Sequence, residues 1–288
     1  MSIDRPLRNF NPFLIGEASM SRMSVVVGSA TFVLGALAWH PASAITITID
    51  DFVTVQNAEV LASAPPIASA GSALAAPGVI GGERDLYVEK TAGDDDERVR
   101  ARINPSGLNL LRMTIDDAKG RVVMTWDGSD GLFAPGQVSY AGLGGIDFTQ
   151  ALQLDLLVTF SDVGGPVKFV FWDAADLSGN TRATTTFTVP GSIPAASSVT
   201  LSKTFLSSDF TATGGTLASI FANVGAIQME IDARAVAQEG WDARFDYVRA
   251  TGTPPPTGVP EPSTLALLGL GLVGLAQRAR RHRNSPTA

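Results

Sequence analysis

From Ile45 to Gly252 the chain carries a series of short runs rich in Val, Ile, Thr, Leu and Phe, several of which alternate apolar and polar residues with the two-residue period of strands with one wet face. The runs are ITITI at 45–49, RDLYVEKT at 84–91, RVRARI at 98–103, GLNLLRMTI at 107–115, RVVMTW at 121–126 and LQLDLLVTF at 152–160. They continue with VKFVFWD at 167–173, RATTTFTV at 182–189, VTLSKTF at 199–205, AIQMEID at 226–232 and ARFDYVRA at 243–250. Turn clusters such as DDAKG, DGSDG, DVGGP and LSGN divide them, and only TLASIFANV at 216–224 has helical spacing. Some ten short strands at this spacing predict an all-β fold, a jelly-roll-like β-sandwich. Residues 61–82, LASAPPIASAGSALAAPGVIGG, carry almost no charge or periodicity and are expected to form a long loop between sheets.

The two ends have a different pattern. Ser24 to Trp39 is apolar, follows Arg22 and precedes PASA, as in an export signal helix with a small-residue cleavage site. Ala42 and Ala44 occupy the −3 and −1 positions, where signal peptidase accepts only small side chains, so the mature chain is expected to begin at Ile45. The n-region is long enough that Met20 or Met23 is an alternative start. At the other end Thr264 to Ala276 is 13 residues without a charge, against the ~20 that a membrane-crossing helix needs. Arg278, Arg280, Arg281 and Arg283 follow, and by the positive-inside tendency they stay cytoplasmic while the body stands on the outer side. TGTPPPTG is a stiff, extended spacer before this segment. The expected organisation is a signal peptide with its extended n-region at 1–44, a sandwich at 45–250, a linker at 251–258, a sorting or anchor segment with a short hydrophobic helix at 259–283, and a tail at 284–288.

Composition narrows the chemistry. The chain of 288 residues has 29 Gly and 17 Pro, only 17 % charged residues and no cysteine. Its net charge of −7 conceals a more acidic body, because residues 45–252 hold 14 basic against 25 acidic side chains. A body of that sign disfavours nucleic acid as a partner. The two histidines, His40 and His282, lie in the end segments, so Ser-His-Asp and Cys-His catalysis and a His-rich zinc site are excluded from the body. Carboxylates remain. Asp94 and Asp96 lie in the run Asp94-Asp95-Asp96-Glu97 after Gly93, and Asp127 and Asp130 lie in Asp127-Gly128-Ser129-Asp130-Gly131. These are oxygen ligands of the kind calcium takes, and equally what solvated turns contain; the first run fails the EF-hand spacing, while the second has loop geometry that suits an ion or a hairpin turn. A carboxylate-based glycoside hydrolase or lyase would need two of them facing across a groove. Trp126 and Trp241 border turns and are the candidates for stacking against sugar rings, with core packing as the competing role.

Val259-Pro260-Glu261-Pro262-Ser263, the apolar run and the arginine cluster together resemble a PEP-CTERM sorting signal, the three-part C-terminal tag of many Gram-negative surface and exopolymer-associated proteins. The resemblance implies processing at or near Pro260-Glu261-Pro262 by a membrane-embedded exosortase after transient anchoring in the inner membrane. The two prolines keep this site extended, as a protease requires. More distantly, Ile49-Asp50-Asp51-Phe52, then Gly81-Gly82-Glu83-Arg84-Asp85-Leu86 and a closing Phe245-Asp246-Tyr247-Val248 resemble PEP-CTERM passengers and the galactose-binding-like sandwiches of carbohydrate-binding modules. These likenesses imply a non-enzymatic, structural or adhesive protein of the cell surface or biofilm matrix in contact with extracellular polysaccharide. A module with a defined sugar site is the alternative. Mass mapping of the protein from its host is expected to find a species that begins at Ile45 and ends near Pro260, outside the inner membrane. A full-length C-terminus kept in that membrane would show an ordinary tail anchor instead.

Overall fold

The computed structural model describes residues 44–61, 68–94, 96–237 and 240–252. The expected signal helix, most of the linker, and the sorting segment with its apolar helix lie outside them. In chain order the strands are β1 (Thr46–Asp50), β2 (Gln56–Val60), β3 (Ala68–Ala75), β4 (Glu83–Ala92), β5 (Val99–Ile103), β6 (Leu111–Ile115) and β7 (Lys119–Trp126). They continue as β8 (Gln153–Ser161), β9 (Gly165–Asp173), β10 (Arg182–Val189), β11 (Val199–Thr204), β12 (Thr211–Thr213), β13 (Val224–Asp232) and β14 (Ala243–Thr251), with one short helix, α1 (Leu217–Phe221).

Two antiparallel sheets form the sandwich, as the alternation predicts. Sheet A has the order β11-β8-β14-β6-β5-β2 with β1 beside β14, and sheet B the order β12-β10-β9-β13-β7-β4-β3. Consecutive strands pair directly only in a few hairpins, β3–β4, β5–β6 and β9–β10. Most other connections cross from one sheet to the other, in the manner of a jelly roll. The apolar parity of each strand faces inward: Val99, Ala101 and Ile103 of β5 and Phe245, Val248 and Ala250 of β14 meet Leu86 and Val88 of β4 and Phe169 and Phe171 of β9, all fully buried. Phe171, Phe205, Phe210 and Phe221 pack largely edge to face at one end of this layer, with ring centroids 4.8–6.0 Å apart. Among the described residues no helix is long and apolar enough to cross a membrane.

The structure corrects the expectation of a long loop at 61–82, since β3 occupies 68–75. Its ASAGSALA sequence is small-residue-rich, with Leu74 its one large apolar side chain, and at Gly71 the lack of a side chain has a cause: a Cβ there would stand 2.4 Å from the ring of Phe133. The polar β2 and the three-residue β12 are likewise unmarked by hydrophobic period, and GLNL at 107–110 precedes β6 rather than belonging to it.

β1 and β14 are the first and last strands of the sandwich and pair with each other, Thr46 opposite Thr251. The Gly252 N–H donates to the Ile45 carbonyl at 2.8 Å, so both ends of the sandwich leave it at one place.

Asp50 and Arg84, both fully buried, join the sheets. Arg84 Nη1 donates to the two Asp50 oxygens at 3.0 and 2.8 Å, Nε donates to Gln56 Oε1 at 2.8 Å, and Nη2 donates to the Thr54 carbonyl at 2.6 Å. Asp50 also accepts from the Phe52 N–H at 2.8 Å and from Trp126 Nε1 at 3.1 Å, and Gln56 Nε2 reaches the Ser72 carbonyl at 2.8 Å. Burial raises the proton affinity of Asp50, against the opposing pull of Arg84. The charge pair is satisfied on all sides, so removing one partner strands the other in the core. Asp50→Ala is expected to cost about 3–5 kcal/mol in denaturant unfolding. The double variant Asp50→Leu with Arg84→Met should recover part of that loss, whereas equal stability of Asp50→Ala and the parent would show the pair to be dispensable.

Candidate functional site

The two outer faces of the sandwich differ in what covers them. Over sheet B lies the long connection between β7 and β8. Val138 and Tyr140 pack on Val170, Trp172 and Ala226, a small second core on the solvent side of the sheet, with the Tyr140 and Trp172 rings 5.6 Å apart. Backbone bonds stitch the connection down, from Leu143 N–H to the Gly225 carbonyl at 2.9 Å and from Ile146 N–H to the Val224 carbonyl at 2.8 Å. Gly225 permits this approach, since a Cβ there would be 2.0 Å from the Tyr140 carbonyl.

An acidic cluster sits where that connection leaves β7. Asp85 of β4 stands opposite Thr125, and Asp127 follows two residues later on the same face of the sheet. One carboxylate oxygen each from Asp85, Asp127 and Asp130 lie within 4.8 Å of one another. Glu83 joins them by accepting from the N–H groups of Asp130 and Gly131 at 3.0 and 2.9 Å, and Asp127 Oδ2 accepts from the Ser139 N–H at 2.6 Å. Asp85 is 2 % and Asp127 1 % exposed, and Oδ1 of each is buried without a hydrogen-bond partner. Burial, reinforced by the adjacent Asp127, pushes Asp85 up to about 9, and burial pushes Asp127 up to about 6.

The outer face of sheet A is built otherwise. On β5 the burial alternates so that Arg100 and Arg102 point outward, Arg112 does so from β6, and Arg244 and Arg249 from β14. Strand register sets Arg102 opposite Arg112 and Arg112 opposite Arg244, which in turn faces Phe160 of β8. The Arg244 guanidinium lies 5.2 Å from the Phe160 ring centre and that of Arg249 lies 4.0 Å from the Tyr247 ring centre. Arg100 has Glu59 at 3.6 Å, but Arg102, Arg112, Arg244 and Arg249 form no ion pair among the described residues. Like charges directly opposite on adjacent strands are unfavourable. The contrast with sheet B is direct: there Arg121 pairs with Glu89 and Glu230, and Arg234 with Glu230 and Asp232. A shallow groove of about 530 Å³ beside Asn57, Glu59, Arg102 and Asn104 extends the arginine row toward the β2 edge.

The candidates named from the sequence are distributed unevenly over this architecture. Trp126 and Trp241 are 0 % exposed, which corrects their assignment as sugar-stacking residues. Their indole N–H groups are used inside the sandwich, Trp126 on Asp50 and Trp241 on Ser161 Oγ at 3.0 Å. Asp127 and Asp130 come together, joined by Asp85, which the sequence did not single out as a ligand. Asp94 and Asp96 are exposed at the opposite end of β4 and take no part in that cluster. Arg84, next to Asp85 in the chain, bonds to Asp50. Ala44 is the first described residue and is exposed, while Ala42 lies outside the described residues. The arginine row was missed because it appears only when β5, β6 and β14 are set in register; its one local sign is RVRAR at 98–102, where the outward parity is entirely basic.

Residues 258–281 are a PEP-CTERM protein-sorting motif. The motif spans Val259, Pro260, Glu261, Pro262, Arg278, Arg280 and Arg281, with Arg283 just beyond it. A PEP-CTERM motif indicates export, a membrane-anchored sorting step and surface localisation. No curated protein matches the chain. Among solved structures, the family 11 carbohydrate-binding module of the cellulosomal cellulase Lic26A-Cel5E of Clostridium thermocellum is similar at 11 % identity and a TM-score of 0.35, over 73 % of this chain and 96 % of that one. A family 11 module from the same organism in complex with a β-1,3-1,4-mixed-linked tetrasaccharide is similar at 11 % identity and a TM-score of 0.34, over 72 % of this chain and 96 % of that one.

Proposed function

We propose that this PEP-CTERM protein is a non-catalytic, structural or adhesive component of the cell surface or extracellular matrix that holds an anionic polysaccharide against the open face of sheet A. The observation that carries the reading is the row Arg102, Arg112 and Arg244, three guanidinium groups on adjacent strands that form no ion pair among the described residues. Strands are ~4.8 Å apart, so the row presents donors at a short, regular interval along a line across the sheet. Guanidinium forks match carboxylate, sulfate and phosphate groups, and a polymer that repeats such groups engages several at once. Phe160 and Tyr247 supply apolar surface for the sugar rings between the charges.

The acidity of the rest of the body does not oppose this contact. At physiological ionic strength charges are screened over about 8 Å, so a polymer lying on sheet A meets the arginines before the carboxylates of the other face. The sorting motif delivers the sandwich to the compartment where such polymers are found, processed on the way by signal peptidase and an exosortase. A hydrolase reading is disfavoured by the same geometry, since the carboxylates that converge, Asp85 and Asp127, are closed off from any substrate.

Calorimetric titration of the exported protein with polygalacturonate, in EDTA and about 0.15 M NaCl, is expected to show binding. Arg102→Gln, Arg112→Gln and Arg244→Gln combined should weaken it at least about tenfold, given that hydrogen bonds to charged groups contribute about 1.5–3 kcal/mol each. The thermal midpoint of the triple variant should not fall, because a repulsive row has been removed. Undiminished binding by the variant, or binding to a neutral glucan in place of the polyuronate, would overturn the reading.

A further inference from the structure

We propose that Asp85, Asp127 and Asp130 bind a calcium ion that latches the connection between β7 and β8 onto the outer face of sheet B. Two independent features meet at this point. The first is distance: ligands on one calcium stand 2.3–2.6 Å from it, so any two are separated by at most about 5 Å, and the three carboxylate oxygens here all lie within 4.8 Å of one another. The second is an unmet need. Asp85 Oδ1 and Asp127 Oδ1 are buried with no donor, although buried carboxylate oxygens are otherwise bonded. The remaining contacts come from backbone N–H groups and carry no positive charge: Glu83 accepts from Asp130 and Gly131, Asp127 from Ser139 and Asp130 from Leu132, which folds the chain so that the three side chains converge. Among the described residues no ion pair reaches the cluster, and the charged neighbours that act most on Asp85 and Asp127 are each other, Glu83 and Asp130, all acidic.

The donor set selects the ion class. It is all oxygen and anionic, with neither cysteine nor histidine in the body, which suits a hard cation. Calcium accepts an irregular set completed by carbonyls or water, whereas magnesium demands a near-regular octahedron and holds its waters. Export places the protein where calcium-binding modules work with dissociation constants of about 10⁻⁴–10⁻³ M. The ion would act at the root of the connection, with glycines on both sides permitting the close approach: Gly128 has φ +91°, and a Cβ on Gly142 would overlap the Asp127 carbonyl at 1.5 Å. Fixing this root fixes Val138 and Tyr140 on Trp172, so the ion keeps sheet B covered. The proposal does not rest on the polysaccharide reading, and the two use opposite faces.

The test is thermal unfolding of the exported protein, first stripped with EDTA and then given about 5 mM CaCl2, enough to fill a site of the extracellular class. The midpoint should rise by about 2–4 °C, the shift that one kcal/mol gives a domain of this size. The same concentration of MgCl2 should give less, and hydrogen exchange should slow over 128–145. Asp127→Asn keeps the acceptor for the Ser139 N–H, so it should fold, and in EDTA should be no less stable than the parent, but its calcium response should vanish. Asp94→Asn at the far end of β4 should respond as the parent does. A parent midpoint indifferent to calcium, or an undiminished response in Asp127→Asn, would overturn the proposal and leave Asp85 and Asp127 as a carboxyl pair sharing a proton.

Discussion

The buried Asp50–Arg84 pair is the constraint on which the sandwich turns. A guanidinium cannot be left unpaired inside an apolar layer, and Arg84 has all its reach filled: Asp50 from β1, Thr54 from the following turn and Gln56 from β2, all on the sheet A side. Trp126 of sheet B closes the same carboxylate from the other end. The network therefore sets where β1 and β2 cross the start of β4. That placement also fixes the pairing of β1 with β14, which brings both ends of the sandwich to one edge. It gives a physical meaning to the two short motifs that open the passenger, because Asp50 and Phe52 of the first and Arg84 of the second are partners in one cluster.

With the core locked in this way, the two outer faces are free to diverge. Sheet B carries neutralised arginines and a laid-down connection that shields Trp172. Sheet A carries arginines that face one another across adjacent strands and form no ion pair among the described residues. In a body with 25 acidic side chains, unpaired guanidinium groups on one face are not for want of carboxylates. The division of labour follows: one face closed and stabilised, the other left open with unspent charge.

Much of the fold was legible in the sequence, because strands with one buried face must alternate, as β5 and β10 do, and because β7 and β9, buried on both faces, show as short apolar runs between turn clusters. What was illegible has a common cause. At Gly71 of β3 the ring of Phe133 leaves no room for a Cβ, and nothing local records a ring that arrives from more than sixty positions away in the chain. Trp126 and Trp241 border turns, which favours display, yet hydrogen bonds from their indoles to Asp50 and Ser161 hold them inside. Half of the acidic cluster was legible as DGSDG; Asp85 was not, since only the pairing of β4 with β7 brings it there. The sorting motif was fully legible, being an order of short segments rather than a fold.

The central claim is that the open face of sheet A is the working surface. Hydrogen-exchange mass spectrometry of the exported protein with and without polygalacturonate tests it most directly. The account predicts added protection confined to β5, β6, β8 and β14, the strands that carry Arg102, Arg112, Phe160 and Arg244. Protection centred on the connection between β7 and β8, or on β9 and β13 of the covered sheet, would contradict it.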